Sequence, residues 1–188
     1  DGSIEYQRTL TRREQRYHPN DFANDLAHSA LQLVADRESV QSKTILAGFP
    51  WFGDWGRDTM IALPGMTLVT GQFDIARSIL KTFAYYLNGG MLPNKFPDRR
   101  GDDLKYNSID ATLWFFWAIQ QYIEYSGDWD FVQAELYDDL KDIIHAHQRG
   151  TRYGISMADD GLIQGGDSDT QLTWMDVQFD GYAVTPRY

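Results

Sequence analysis

Cysteine is absent from all 188 residues, which removes disulfides, thiolate nucleophiles and Cys-based zinc sites together. The lack fits a reducing compartment. Positive charge is also sparse: 17 Lys and Arg stand against 27 Asp and Glu, for a net charge of −10. Neutralising a phosphate backbone takes clustered Lys and Arg, and here they are scattered, so no nucleic-acid partner is expected. No apolar run approaches the roughly 18 residues of a membrane span. The opening Asp1-Gly2-Ser3-Ile4-Glu5 has neither the basic nor the apolar region of a signal peptide. A soluble, cytoplasmic chain with no membrane partner is the expectation. Neither GxGxxG nor a P-loop pattern occurs.

What is abundant is aromatic. Six Trp, eleven Tyr and ten Phe make 14% of the chain, within 43% apolar residues overall. Such a chain is not disordered, and its length suits one domain that buries about 70% of its unfolded surface. Large flat rings fill cores, and they also stack on the apolar faces of sugars.

Read for periodicity, residues 1–19 form a charged linker or N-terminal extension, and 20–188 the domain. Asn20 or Asp21 is placed to cap a helix through about Asp36, with Phe22, Leu26, Ala30, Leu33 and Val34 on one face. Lys43–Phe52 reads as extended or loop. A second helix is expected over Arg57–Val69, kinked or shortened at Pro64, and a third over Phe73–Leu87 with Ile75, Ile79, Leu80 and Phe83 inward. Met91–Tyr106 is a long polar loop of the kind that is often functional. Two further helices are expected over Ser108–Tyr125 and Trp129–His147, separated by Gly127. A small β-hairpin near 153–164 turns on Asp159-Asp160-Gly161, and a polar Gly-rich loop covers Gly165–Gln171. The pattern is all-α: helical hairpins with short turns at one rim and long loops at the other, repeating after roughly 50 residues.

The densest chemistry lies in Phe49-Pro50-Trp51-Phe52-Gly53-Asp54-Trp55-Gly56-Arg57-Asp58-Thr59. Gly53 and Gly56 permit close backbone approach to a ligand. Trp51 and Trp55 offer stacking walls, and Arg57 and Asp58 suit vicinal hydroxyls. A plainer reading makes Asp58 a helix-capping residue and the Trp pair core.

The stretch from Gly48 to Gly65, containing Gly53-Asp54-Trp55-Gly56-Arg57-Asp58-Thr59, resembles the signature of the glucosidase domain of glycogen debranching enzymes. The resemblance continues at Leu92-Pro93-Asn94-Lys95-Phe96-Pro97 and at Tyr106-Asn107-Ser108-Ile109-Asp110-Ala111-Thr112-Leu113-Trp114-Phe115. It returns at Thr173-Trp174-Met175-Asp176 and Val184-Thr185-Pro186-Arg187, in the family's order. It implies an (α/α)6 toroid of helical hairpins and inverting hydrolysis of α-1,6-linked glucose at branch stubs. The substrate would be glycogen or a branched α-glucan oligosaccharide. Asp176 takes the position of the general acid, in a segment where burial beside Trp174 and Met175 would favour the protonated form. Lys95 and Asp110 fall near the glucose site, although Lys95 also suits a solvated loop and Asp110 a helix N-terminus. Asp54, between the two Trp, is a stronger candidate. Gln171 and Arg187 flank the acid segment.

The family's general base is a Glu far along the chain. Glu14, Glu38, Glu124 and Glu135 fall in the N-terminal segment or on helices instead. With five helices visible where a toroid needs about twelve, 20–188 is expected to be the N-terminal half of the domain. The missing C-terminal half is then its natural partner, covering the exposed inner face, and the isolated piece is expected to be inactive. Two carboxylates suffice for the reaction, so no metal or cofactor is required. The alternative is a catalytically inactive carbohydrate-binding fragment. More distant is a metal-dependent isoprenoid cyclase, on the strength of Asp138-Asp139-Leu140-Lys141-Asp142, although those aspartates lie opposite the apolar stripe. His145 and His147 diverge on a helix, and Asp167-Ser168-Asp169 lacks EF-hand spacing.

Overall fold

The computed structural model describes residues 21–97, 103–168 and 170–186. The expected linker 1–19, Asn20, Asp169 and Arg187 lie outside them.

Helix α1 spans Asp21–Gln32 and stops short of Asp36. Val34–Arg37 forms strand β1, paired antiparallel with β2 at Ser42–Ile45 so that Val34 faces Ile45 and Arg37 faces Ser42. Leu33 and Val34 continue the helical stripe, but a β-branched residue prefers a pleated partner when one is near. That partner follows a tight turn, and helical periodicity does not register it. Strand β2 is stitched to the next helical layer by Thr82, whose hydroxyl donates to the Lys43 carbonyl at 3.0 Å, and by Ser42, which meets Ser78.

Helix α2, Gly56–Leu63, runs into a π-helical turn over Pro64–Leu68. Pro64 brings no N–H to the ladder. The turn widens instead of breaking: Val69 N–H reaches the Pro64 carbonyl at 3.0 Å, and Thr67 Oγ1 donates to the Leu63 carbonyl at 2.7 Å. Helix α3 covers Phe73–Tyr85, with Ile75, Ile79, Leu80 and Phe83 buried as the periodicity requires. Helix α4, Ala111–Ser126, ends at Gly127, whose φ of 70° is left-handed and whose N–H closes on the Ile123 carbonyl. The single helix expected over Trp129–His147 is two: α5 at Trp129–Glu135 and α6 at Tyr137–Arg149. Between them Leu136 leaves helical geometry at φ −127° and buries its side chain in the core.

Helix α2 packs on α4, α3 on β2, and α6 against the short strand Ser156–Met157. Met60, Leu63, Ile79, Leu80, Phe83 and Phe115 are fully buried at this junction. Each contributes roughly 1.5–3 kcal/mol relative to exposure. Phe96 from the long loop joins them, edge-on to Phe83 at 5.0 Å and to Tyr86 at 4.8 Å. Burying that ring anchors the loop on which the site is built.

Strands β3, Ser156–Met157, and β4, Ile163–Gln164, make the expected hairpin. A further hairpin, β5 at Gln178–Phe179 with β6 at Tyr182–Ala183, closes on Asp180 and Gly181, both at positive φ. Asp-Gly between apolar residues is a strong hairpin signal, and the helical reading passed over it. The described residues thus form a helical fold with small hairpin sheets. No helix among them is long and apolar enough to cross a membrane.

Candidate active site

Three extended stretches from distant parts of the chain meet side by side. Gly56 N–H donates to the Asn94 carbonyl at 2.9 Å and Phe96 N–H to the Asp54 carbonyl at 3.1 Å, with Trp55 bridged to Lys95. On the other flank Asn94 N–H donates to the Lys105 carbonyl at 2.7 Å, and Lys95 is bridged to Lys105. Gly56 is needed here because a Cβ would lie 2.5 Å from the Pro93 carbonyl oxygen. The close approach that this glycine permits is therefore to the chain's own backbone.

Two ion pairs lock this sheet-like platform. Asp54, 4% exposed, accepts from Arg37 Nε at 2.7 Å and Nη2 at 2.5 Å, and from Thr44 Oγ1 at 3.0 Å. The Arg37 guanidinium also lies over the Phe96 ring, 4.3 Å from its centroid. Asp54 is thus engaged within the protein and holds β1 to the platform. Arg57 turns toward Asp110, donating from Nε at 2.6 Å and Nη2 at 2.8 Å, while Ser108 Oγ donates to the same carboxylate at 2.7 Å. Burial raises the Asp110 pKa, but the hydrogen bonds from Arg57 and Ser108 and the guanidinium charge outweigh it and hold it below the ordinary value. Asp58 sits exposed in the first turn of α2, where a carboxylate complements the helix dipole.

Above the platform opens a cavity of about 730 Å³. Trp55, Lys95, Gln171 and Asp176, expected from sequence, all line it. Asn94, Phe96, Pro97, Asp103, Lys105, Asn107, Tyr153 and Gln178 line it too. Asn94 and Asn107 stand within the two motifs but were not singled out from them as site residues. Tyr153 and Gln178 carried no comparable signal, since they arrive through a left-handed turn and an end hairpin. Trp51 and Trp174 are 84% and 70% exposed and do not line the cavity, and neither do Asp54, Arg57, Asp58 or Asp110.

Asp176 is half-buried, and its Oδ2 accepts from Asn94 Nδ2 at 3.2 Å. Its loop is tethered by Thr185 Oγ1 donating to the Met175 carbonyl and by Val184 N–H donating to the Val177 carbonyl. Gln171 is buried, and its neighbour Leu172 accepts from Ile109 N–H at 2.8 Å, which ties this wall to the start of α4. Two buried polar atoms of cavity residues, Trp55 Nε1 and Asn94 Oδ1, have no partner. A ring face, amides, lysines and a carboxyl group around such a volume suit a polyhydroxylated ligand.

The glutamates among the described residues lie elsewhere. Glu124 accepts from Gln120 and Gln121, Glu135 pairs with Lys81 at 2.9 Å, and Glu38 is exposed beside the β1–β2 turn. Asp138 pairs with Lys141 at 2.8 Å on the exposed face of α6. His147 Nδ1 meets the Ile143 carbonyl and His145 meets Gln148. No group of three potential metal ligands occurs among the described residues.

The family model described as amylo-alpha-1,6-glucosidase matches residues 28–188. The glycogen debranching enzyme of Saccharomyces cerevisiae is 32% identical over 125 residues, covering 61% of this chain and 8% of that protein. The chain therefore spans only a small part of that relative's length. The family match runs through every stretch that lines the cavity, from Trp55 to Gln178, and the chain belongs to the amylo-alpha-1,6-glucosidase family.

Proposed function

We propose that this chain carries the sugar-binding cavity and the general acid of an inverting α-1,6-glucosidase that removes glucose stubs at the branch points of glycogen or a branched α-glucan. The observation that carries the reading is the convergence of Trp55, Lys95, Gln171 and Asp176, spread over more than half the sequence, on one cavity of about 730 Å³. Family membership supports the reaction class.

In this account Asp176 gives its proton to the glycosidic oxygen as the bond from that oxygen to C1 breaks. Water attacks C1 from the opposite face and loses its proton to a second carboxylate, so the α-linkage yields β-glucose. The base is a glutamate outside these 188 residues, supplied by the rest of an (α/α)6 toroid of which residues 20–188 form the N-terminal part. Glu38, Glu124 and Glu135 are engaged or placed away from the cavity, in keeping with that assignment. Trp55 offers a ring face to the sugar, and Lys95 and Gln171 take hydroxyls. Trp51, exposed on its loop, meets a longer glucan chain in this account. Arg57 and Asp110 act on one another, holding the start of α4 to α2 rather than touching the sugar.

The test is product analysis with the full polypeptide that contains this chain, acting on a dextrin bearing a single α-1,6-glucosyl stub. Proton NMR recorded within seconds to minutes of mixing should show β-glucose first. Initial α-glucose would refute inversion. Dextrin binding without any glucose release would favour the binding-only reading.

A further inference from the structure

Asn94 is held from every side. It is 4% exposed, its N–H donates to Lys105 and its carbonyl accepts from Gly56, so its backbone is the middle rung of the platform. The Phe96 N–H bond to Asp54, itself clamped by Arg37, fixes the next turn of the same strand. The side chain consequently has one place to go. Its Nδ2 donates to Asp176 Oδ2 at 3.2 Å and to Asn107 Oδ1 at 3.4 Å, while its Oδ1 has no partner.

An unpaired buried carbonyl is unfavourable, and native structures keep few of them. Turning the amide over would set Oδ1 against Asp176 Oδ2, acceptor against acceptor. The carboxylate thus dictates which way the amide lies, and the orphaned Oδ1 is the consequence. We propose that Asn94 is the positioning residue for Asp176: its amide N–H occupies Oδ2 and reserves Oδ1 as the oxygen that carries the transferable proton.

The assignment rests on reading Asp176 as the general acid. In the step itself, the proton on Asp176 Oδ1 moves to the glycosidic oxygen, which keeps the electron pair of its broken bond to C1. A water molecule, deprotonated by the base carboxylate, forms the new bond to C1. The Asn94 N–H then steadies the carboxylate left behind, as a hydrogen bond to the charged form does. Asn94 touches neither sugar nor water in this scheme and acts through Asp176.

The test compares two substrates in the full polypeptide: the glucosyl-stub dextrin, whose leaving alcohol needs a proton, and α-glucosyl fluoride, whose leaving group needs little. Asn94→Leu removes the amide while keeping the branched outline of the side chain. It should lower kcat on the dextrin about 10- to 100-fold more than it lowers hydrolysis of the fluoride. Asn94→Ala, smaller and equally unable to donate, should show the same selective loss. Equal losses on both substrates, or a raised KM at unchanged kcat, would make Asn94 a wall residue and overturn the inference. Asp176→Asn separates the two claims. If it abolishes dextrin cleavage and spares the fluoride while the Asn94 variants are unselective, only the positioning role falls. If Asp176→Asn retains dextrin cleavage, the acid reading falls with it.

Discussion

Removing the Arg37 side chain is the sharpest test of how the platform is held. The Asp54 side chain is 5% exposed and that of Arg37 16%, so both charges are largely withdrawn from water. In Arg37→Met the carboxylate keeps only the Thr44 hydroxyl at 3.0 Å as a side-chain donor. Breaking a buried pair at one end costs about 3–5 kcal/mol, because the remaining charge is uncompensated. The guanidinium over Phe96 adds about 0.5–2 kcal/mol that the Met sulfur recovers only in part. For a chain of this size each kcal/mol moves Tm by about 2–4 °C, so loss of the ion pair alone should lower Tm by about 6–20 °C. Arg37→Met combined with Asp54→Leu should recover most of that loss, since a well-packed apolar pair is often no worse than a buried ion pair. Thermal and urea unfolding of the purified chain measure both. A single variant within about 3 °C of the parent, or a double variant no better than the single, would refute the argument.

Three further expectations follow from the geometry. Gly56→Ala should destabilise by about 1–3 kcal/mol, because the added Cβ meets the Pro93 carbonyl at 2.5 Å and backbone must move to admit it; an unchanged urea midpoint would contradict this. The Asp110 pKa is depressed on folding, so the unfolded chain takes up a proton there first as pH falls. The stability it contributes is complete above about pH 4 and is lost as pH drops through the folded value. A Tm series against pH should therefore have a shallower acid limb in Asp110→Asn, and an identical limb would sink the claim. Tyr122, raised to about 12 by burial and by its hydrogen bond to Asp128, contributes stability that is full below about pH 10 and lost as pH rises through 12. Ultraviolet titration should show a phenolate transition near pH 12 disappear in Tyr122→Phe.

The helical layer was readable because its signals are local. Ile75, Ile79, Leu80 and Phe83 recur at helical spacing and all are buried, and Gly127 ends α4 at positive φ where a glycine was expected to break the chain. Pairing of distant segments was not readable. Val34 joins a strand because Ile45 lies opposite, and no window centred on Val34 reports that. The site divides along the same line. The motif containing Trp55 and the segment ending at Asp176 were recognisable as chemistry, and both reach the cavity. Within that same motif Asp54 and Arg57 turn inward to Arg37 and Asp110, choices made by partners 17 and 53 residues away. A polar residue in a dense motif serves ligand or fold according to what the tertiary structure sets beside it, and composition is the same in both cases. Asn94 is the converse: a residue of unremarkable type whose importance comes from the backbone bonds that aim it at Asp176.

The most direct test of the account is the rate of glucose release from the glucosyl-stub dextrin by the full polypeptide and its Asp176→Asn variant, at equal folded concentration. Losing the proton donor while keeping shape should reduce kcat by about 100-fold or more, with dextrin affinity retained. A variant that releases glucose within about threefold of the parent rate would show that the acid lies elsewhere.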